Sequence, residues 1–230
     1  MPVLVLRPQP GAAATTEAAR ALGLAAEFHP LFAIRPQAWE PVPANAIDGL
    51  LLGSANALRH AGPALERYRG MPAYTVGEAT AAAAREAGLV VAMVGSGGLQ
   101  GVLDALPPAP IRLLRLAGRE RVTLNVPSDV TLVTCEVYAS EPLPLSTALA
   151  ARLAQPALGL LHSGEAAARL ATLCDEAGIA RAHLALAALG PRIAARAGHG
   201  WRALRSAERP DDAGLLALAH EMCQELSPRP

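Results

Sequence analysis

Short apolar runs alternate with amphipathic stretches along this chain. Val3 to Leu6 is an apolar run halted by Arg7-Pro8, which predicts a buried strand. Ala12 to Leu22 is rich in helix formers and Gly23 follows it, the usual end of a helix. Phe28 to Ile34 reads as extended, interrupted by Pro30 and stopped by Pro36, and Gln37 to Asn45, with Pro41 and Pro43, reads as a linker. Ile47 to Leu52 is the next predicted strand, followed by Gly53-Ser54 and a helix from about Ala55. Ala73 to Val76 predicts another strand, after which Gly77 opens an alanine-rich helix that ends at Gly88. Val90 to Val94 is strand-like, Gly95 to Gly98 a flexible loop, and Leu99 to Leu106 a helix broken off by Pro107, Pro108 and Pro110. Strands alternating with helices of roughly 10–15 residues predict parallel sheets covered by helices on both faces. The strands are uniformly apolar rather than alternating, as strands buried on both faces are.

The pattern then repeats. Leu51-Leu52-Gly53-Ser54-Ala55-Asn56-Ala57 resembles Leu160-Leu161-His162-Ser163-Gly164-Glu165-Ala166, an apolar run with serine at the strand end and a helix after it. Tyr74 to Ala81 resembles Ala187 to Ala194, Gly101 to Leu106 resembles Gly214 to Ala219, and Ile111 to Arg115 resembles Val3 to Arg7, each about 110 residues apart. Repeats of this kind set the architecture. The strand that the second copy lacks at its end stands at the start of the chain, so one domain contains both termini. The fold class is therefore α/β: two similar doubly wound parallel-sheet domains joined by a two-stranded connector. The expected division is residues 1–35 plus 146–230 for the first domain and 39–134 for the second, with 30–38 and 135–145 as connectors. Arg7 and Arg115 are expected to end equivalent strands.

Composition narrows the chemistry. In 230 residues, 20 basic side chains balance 20 acidic ones, and every basic one is arginine. Without lysine there is no Schiff base, no pyridoxal-phosphate anchor and no P-loop lysine. Zero net charge argues against a broad grip on nucleic acid, and an aromatic content of 3% against a stacking platform for single strands. No window approaches the roughly 20 apolar residues of a membrane span. The opening residues carry no secretory pattern, so a cytoplasmic protein is expected.

Cys135, Cys174 and Cys223 lie far apart without metal or redox spacing and read as buried small hydrophobes. The histidines are scattered and suggest no metal site. His162 beside Ser163 invites a nucleophile reading, but neighbouring residues of a strand point apart and no acidic partner is specified. Gly95-Ser96-Gly97-Gly98 resembles a dinucleotide loop but has Gln100 where the third glycine belongs. Asp211-Asp212 fits a charged helix N-terminus better than a catalytic pair.

Over nearly its whole length the chain resembles the uroporphyrinogen-III synthase family. The residues that carry the resemblance are Val3 to Pro8, Asp48 to Ala57, Val76 to Ala81, Val137-Tyr138 and Leu189-Gly190-Pro191, in this order and with the circular repeat. The chain departs from the family in two places. Gly53-Ser54 stands where Thr-Ser is frequent, and Arg192-Ile193 stands where a hydroxyl residue usually follows Gly190-Pro191.

The resemblance implies a fold of two α/β domains on a two-stranded connector. It implies cyclisation of hydroxymethylbilane, a linear tetrapyrrole, to uroporphyrinogen III, with loss of water and inversion of ring D. Loss of a hydroxyl gives an azafulvene-like cation, and a spiro intermediate turns ring D around. No cofactor and no metal are implied, and a single chain acting as a monomer is expected. Because the substrate closes wrongly by itself, the protein's task is to fold and hold it. Tyr138, in the connector and expected to face the cleft, corresponds to the family's Val-Tyr tyrosine and is the candidate acid for hydroxyl departure. The substrate is a polycarboxylate, which places its binding at strand ends and helix N-termini. The candidate contacts are Ser54, Ala55, Asn56, Gly77, Thr80, Ser163, Gly164, Gly190 and Pro191, with Arg7 and Arg115 for their planar guanidinium. A non-enzymatic two-domain binder of a small polycarboxylate is the alternative, favoured by the two departures. A nucleotide-binding enzyme is a weaker one, since the glycine fingerprint is incomplete.

Overall fold

A computed structural model describes residues 1–226. In chain order the elements are β1 (Val3–Val5), α1 (Gly11–Ala21), β2 (Ala26–Phe28), β3 (Phe32–Pro36), β4 (Gly49–Leu52), α2 (Ala55–His60), β5 (Pro72–Val76), α3 (Glu78–Glu86), β6 (Val90–Gly95), α4 (Leu99–Asp104), β7 (Ile111–Gly118), β8 (Val130–Pro142), α5 (Thr147–Leu153), β9 (Ala157–Leu161), α6 (Gly164–Glu176), β10 (Leu184–Ala188), α7 (Pro191–Ala197), β11 (Ala203–Ser206) and α8 (Asp212–Leu226). Contacts divide the chain into one unit of Met1–Ala33 with Glu141–Pro230 and another of Ile34–Ser140.

The first unit holds a five-stranded sheet in the order β11-β10-β9-β1-β2, parallel throughout. The second sheet runs β3-β8-β7-β4-β5-β6, with parallel pairing from β8 to β6. Removing β3 leaves β6-β5-β4-β7-β8, which matches the first sheet strand for strand. Chain order is permuted between the two, as the circular repeat requires. At β3 and β8 the Gln37 amide donates to Val137 O and the Leu143 amide to Leu31 O. The partners advance in opposite directions, so these two connecting strands are antiparallel.

Central strands β9 and β10 are buried at every position, as expected for parallel strands covered on both faces. One face of the first sheet buries Val3, Val5, Leu158 and Leu160 against α1 and α8, and the other buries Leu4, Leu6 and Leu161 against α5 and α6. In the second unit Leu50, Leu52, Leu114 and Leu116 pack under α2 and α3.

The opposite face of the second sheet is thinner. Its hydrophobic cluster holds Leu51, Leu99, Val102, Leu103, Leu113 and Val130 as buried residues. The reason is topological. Between β1 and β2 the chain makes α1, but between the equivalent β7 and β8 residues 119–129 form no helix. A crossover helix is missing from that face, and an irregular loop takes its place.

Two expectations are corrected. The extended segment Phe28 to Ile34 is two strands in different sheets, β2 and β3. Pro30, with no N–H to give, falls in the break, and Leu31 turns its amide to Leu6 O. Strand β11 and helix α5 were not legible in the sequence pattern. Arg115 does not end its strand, since β7 continues to Gly118. In the registers, Arg115 pairs with Leu51 while Val5 pairs with Leu160, the repeat partner of Leu51. Arg115 is thus the counterpart of Val5, and Arg7 that of Ala117.

Candidate active site

In a doubly wound sheet, ligands bind beyond the carboxyl ends of the strands where the winding direction reverses. That point lies between β4 and β7 in the second unit and between β9 and β1 in the first.

At the β4–β7 point a cavity of about 240 Å³ is lined by Gly53, Ser54, Leu99, Arg115, Gly118, Glu120, Arg121 and Tyr138, among others. Ser54 is the N-cap of α2 and its Oγ accepts from the Asn56 amide at 3.2 Å. Gly53 lies close under Leu99: a Cβ there would come within 2.8 Å of Leu99 Cδ1. A larger residue at this position, such as the threonine frequent in the family, would require the Leu99 side chain to shift.

Tyr138 projects from β8 opposite Gly118. A Cβ on Gly118 would lie 2.7 Å from the Tyr138 ring, so only glycine lets the ring lie there. The His60 ring lies near it, with centroids 6.1 Å apart and planes tilted by 43°. Burial and the charge of Arg59 push the His60 pKa below its ordinary value. Among the described residues the Tyr138 hydroxyl has no hydrogen-bond partner.

Arg115 is only 5% exposed. Its Nη2 donates to Val122 O at 3.1 Å, in the loop that replaces the missing helix. Its Nε is buried without a partner. Burial, and then the charge of Arg121, pull its pKa below the ordinary guanidinium value, partly offset by Tyr138. Arg121 is paired with Glu136 at 2.5 Å, and the Glu120 carboxylate receives the Ser140 amide at 3.5 Å.

At the β9–β1 point the arrangement is different. Arg7 Nη1 donates to both oxygens of Asp212, at 3.0 and 3.1 Å, and the Thr15 hydroxyl donates to the same carboxylate at 2.6 Å. His162, its side chain 7% exposed, sets Nε2 3.4 Å from Asp212 Oδ1. His162, then Thr15 and the Arg7 charge, hold the Asp212 carboxyl far below the usual range, against the burial that raises it. Gly11 makes room for this group, since a Cβ on it would strike the Arg7 guanidinium at 2.7 Å. The sequence pattern places Asp212 only as a helix N-terminal charge and gives His162 no acidic partner. The cluster joins four separated stretches of chain, so no local spacing reveals it. Arg7 is here already engaged by a carboxylate of its own chain.

The other candidates fall into place around these two points. Ala55 and Asn56 open α2, and Asn56 Oδ1 accepts from Arg59 at 3.3 Å. Gly77, at φ 73° and ψ 156°, is the N-cap of α3 in a conformation reserved to glycine, and Thr80 is buried in the first turn. None of these four lines the cavity itself, although Ser54 and Val76, their chain neighbours, do. Ser163 caps α6, accepting from the Ala166 amide at 3.1 Å, and Gly164 follows it. Gly190 precedes Pro191, the first residue of α7. Ile193, where a hydroxyl residue was expected, packs against the core. Among the described residues no group of His, Cys, Asp and Glu could hold a metal, and no helix is long and apolar enough to cross a membrane.

Two permuted copies of one doubly wound sheet, each with arginine, serine and glycine at its reversal point, define a class of two-unit α/β protein suited to an anionic ligand. The family described as Uroporphyrinogen-III synthase HemD matches residues 13–217. The chain belongs to the uroporphyrinogen-III synthase family and is an enzyme of that class, the cyclising lyases of heme biosynthesis. In fold it is similar to a uroporphyrinogen-III synthetase from Helicobacter pylori, with a TM-score of 0.66 and 16% identity over 96% of this chain and 100% of that one. The wild-type uroporphyrinogen III synthase of Thermus thermophilus aligns with a TM-score of 0.45 and 17% identity over 98% of this chain and 99% of that one. No curated protein sequence matches the chain.

Proposed function

We propose that the chain closes hydroxymethylbilane to uroporphyrinogen III, with Tyr138 as the catalytic acid. The observation that carries this reading is the phenol of Tyr138, held over Gly118 in the cavity at the β4–β7 reversal point with no partner of its own among the described residues. Its O–H is free to donate to the hydroxyl that leaves the substrate, and that group departs as water. The resulting cation at the terminal carbon is attacked by ring D at its substituted position. The older bond from that position to the neighbouring methylene then breaks, and the methylene bonds to ring D's free α-carbon instead. The hydrogen lost from that carbon replaces the proton that left in the water. Hydrogen-bond assistance at the departing oxygen and restriction of the ring-D path are the two contributions asked of the protein.

The acidic arms of the substrate are assigned to Arg115, Ser54, Ala55, Asn56, Gly77 and Thr80 in the second unit. In the first they go to Ser163, Gly164, Gly190, Pro191 and Arg7. For Arg7 this requires sharing its guanidinium between Asp212 and the ligand. Three free thiols suit a reducing, cytoplasmic setting, and both reversal points are built from a single chain, which suits action as a monomer. The family match over residues 13–217 favours the enzyme over the binder alternative, and at the two departures Gly53 packs beside Leu99 and Ile193 against the core.

The test is to add the protein to freshly generated hydroxymethylbilane and separate the product isomers. Type III product supports the reading, and type I alone refutes it.

A further inference from the structure

Arg115 is a charged residue at a core position. Its counterpart in the sister sheet is Val5, which is fully buried among aliphatic side chains. The fold itself therefore asks for an apolar residue here. A guanidinium at that level costs stability unless its charge and all its N–H groups are met. Arg115 makes one hydrogen bond to a neutral carbonyl, leaves Nε unmet and has no ion-pair partner among the described residues.

The first unit shows what such an arginine takes. The arginine of its reversal point, Arg7, lies two residues past the end of β1, at the position equivalent to Ala117. It is neutralised by Asp212, the first residue of the helix after the edge strand. The equivalent helix of the second unit begins with Leu99, which carries no charge and lines the cavity beside Arg115. The imidazole at position 162 has Gly53 as its counterpart. The second unit thus has neither the carboxylate nor the imidazole, and it has no counterpart of α1 above them. What remains is a small cavity with an unmet guanidinium in its wall.

We infer that this cavity is a subsite for a single carboxylate on a short alkyl arm, bound by the guanidinium of Arg115 in the way the Arg7 guanidinium, through Nη1, holds the carboxylate of Asp212. The inference rests on the proposed function, in which that arm belongs to one pyrrole ring of the substrate. At about 240 Å³ the cavity takes one arm, or one ring with its arm, and not a tetrapyrrole. Bound there, the carboxylate fixes one ring beside Tyr138. The carboxylate is met by the cation on one side and has only Glu120, already holding the Ser140 amide, as a like charge in the lining.

The experiment compares wild type with Arg115→Met and Arg115→Lys. Propionate and its neutral analogue propionamide serve as probes, and the arginine Nε–H resonances of the full chain as readout. Propionate should shift one Nε–H signal that is missing from Arg115→Met, while propionamide should not. Octacarboxylate uroporphyrinogen should bind Arg115→Met ~10- to 100-fold more weakly than wild type, with Arg115→Lys in between. The melting temperature of Arg115→Met should be equal to or above that of wild type, since an apolar side chain suits the position. A structural arginine gives the reverse pattern, with a lower melting temperature and unchanged binding, and that result overturns the inference. So does a propionate response that survives in Arg115→Met. These readouts need no turnover. A wild type that makes only type I product while still binding propionate at Arg115 refutes the proposed function and leaves the subsite standing.

Discussion

Tyr138 and Gly118 face each other across the β7–β8 pairing, and the ring occupies the space that a side chain on Gly118 would need. The glycine thus sets the position of the phenol without touching the substrate. Gly118→Ala forces the ring away. The expected outcome is a fold destabilised by about 1–3 kcal/mol, the usual cost of overpacking, with a larger fall in kcat than in KM. Chemical denaturation and steady-state kinetics on the same preparation check both.

Tyr138→Phe removes only the O–H. The ring still fills its place, so the unfolding midpoint should stay within experimental error. Formation of type III product should slow by ~10²-fold or more, the range typical of a lost general acid. An unchanged rate removes the phenol from the mechanism.

Ser163 both caps α6 and is assigned to the substrate. Glycine is nearly as good a cap as serine, within a few tenths of a kcal/mol, whereas alanine costs about 1 kcal/mol. Ser163→Gly should therefore melt close to wild type yet raise KM, and Ser163→Ala should do both harms. If Ser163→Gly leaves KM untouched, the serine is only a cap.

Asp212 gives the first unit a pH dependence whose sign is fixed. Its carboxyl is depressed in the folded protein by His162, Thr15 and Arg7. A depressed acid contributes stability that is fully present above its unfolded value and disappears as pH falls through the folded one. Asp212→Asn should therefore cost about 1–2 kcal/mol near neutrality, the loss of charge-assisted hydrogen bonds discounted for partial exposure. The gap between mutant and wild type should narrow once the pH drops below ~4. Thermal melts from pH 3 to pH 7 give the comparison.

The repeat was legible because strand, serine and helix recur in order, and strand order in the two sheets follows it. The α/β class was legible for the same reason. Pro30 marks the break between β2 and β3, but that the two strands lie in different sheets was not legible, because both are short, with only His29, Pro30 and Leu31 between them. The level of Arg115 was not legible, because the apolar run Ile111 to Arg115 aligns equally well with Val3 to Arg7 and only strand pairing sets the register. The missing crossover helix after β7 leaves Arg119 to Asp129 without any periodic pattern, and a lack of pattern says little about the cavity beneath it. The group of Arg7, Thr15, His162 and Asp212 comes from four places in the chain. Sequence spacing carries no signal for such a convergence, whereas the reversal points could be located once strand order was known.

The central claim is that this chain turns ring D. Single-turnover mixing with hydroxymethylbilane, over enzyme concentrations below and above that of substrate, tests it most directly. Uncatalysed closure competes and yields type I, so the type III share should climb with enzyme and approach completion when enzyme is in excess. Type I product alone at every enzyme concentration would contradict the account.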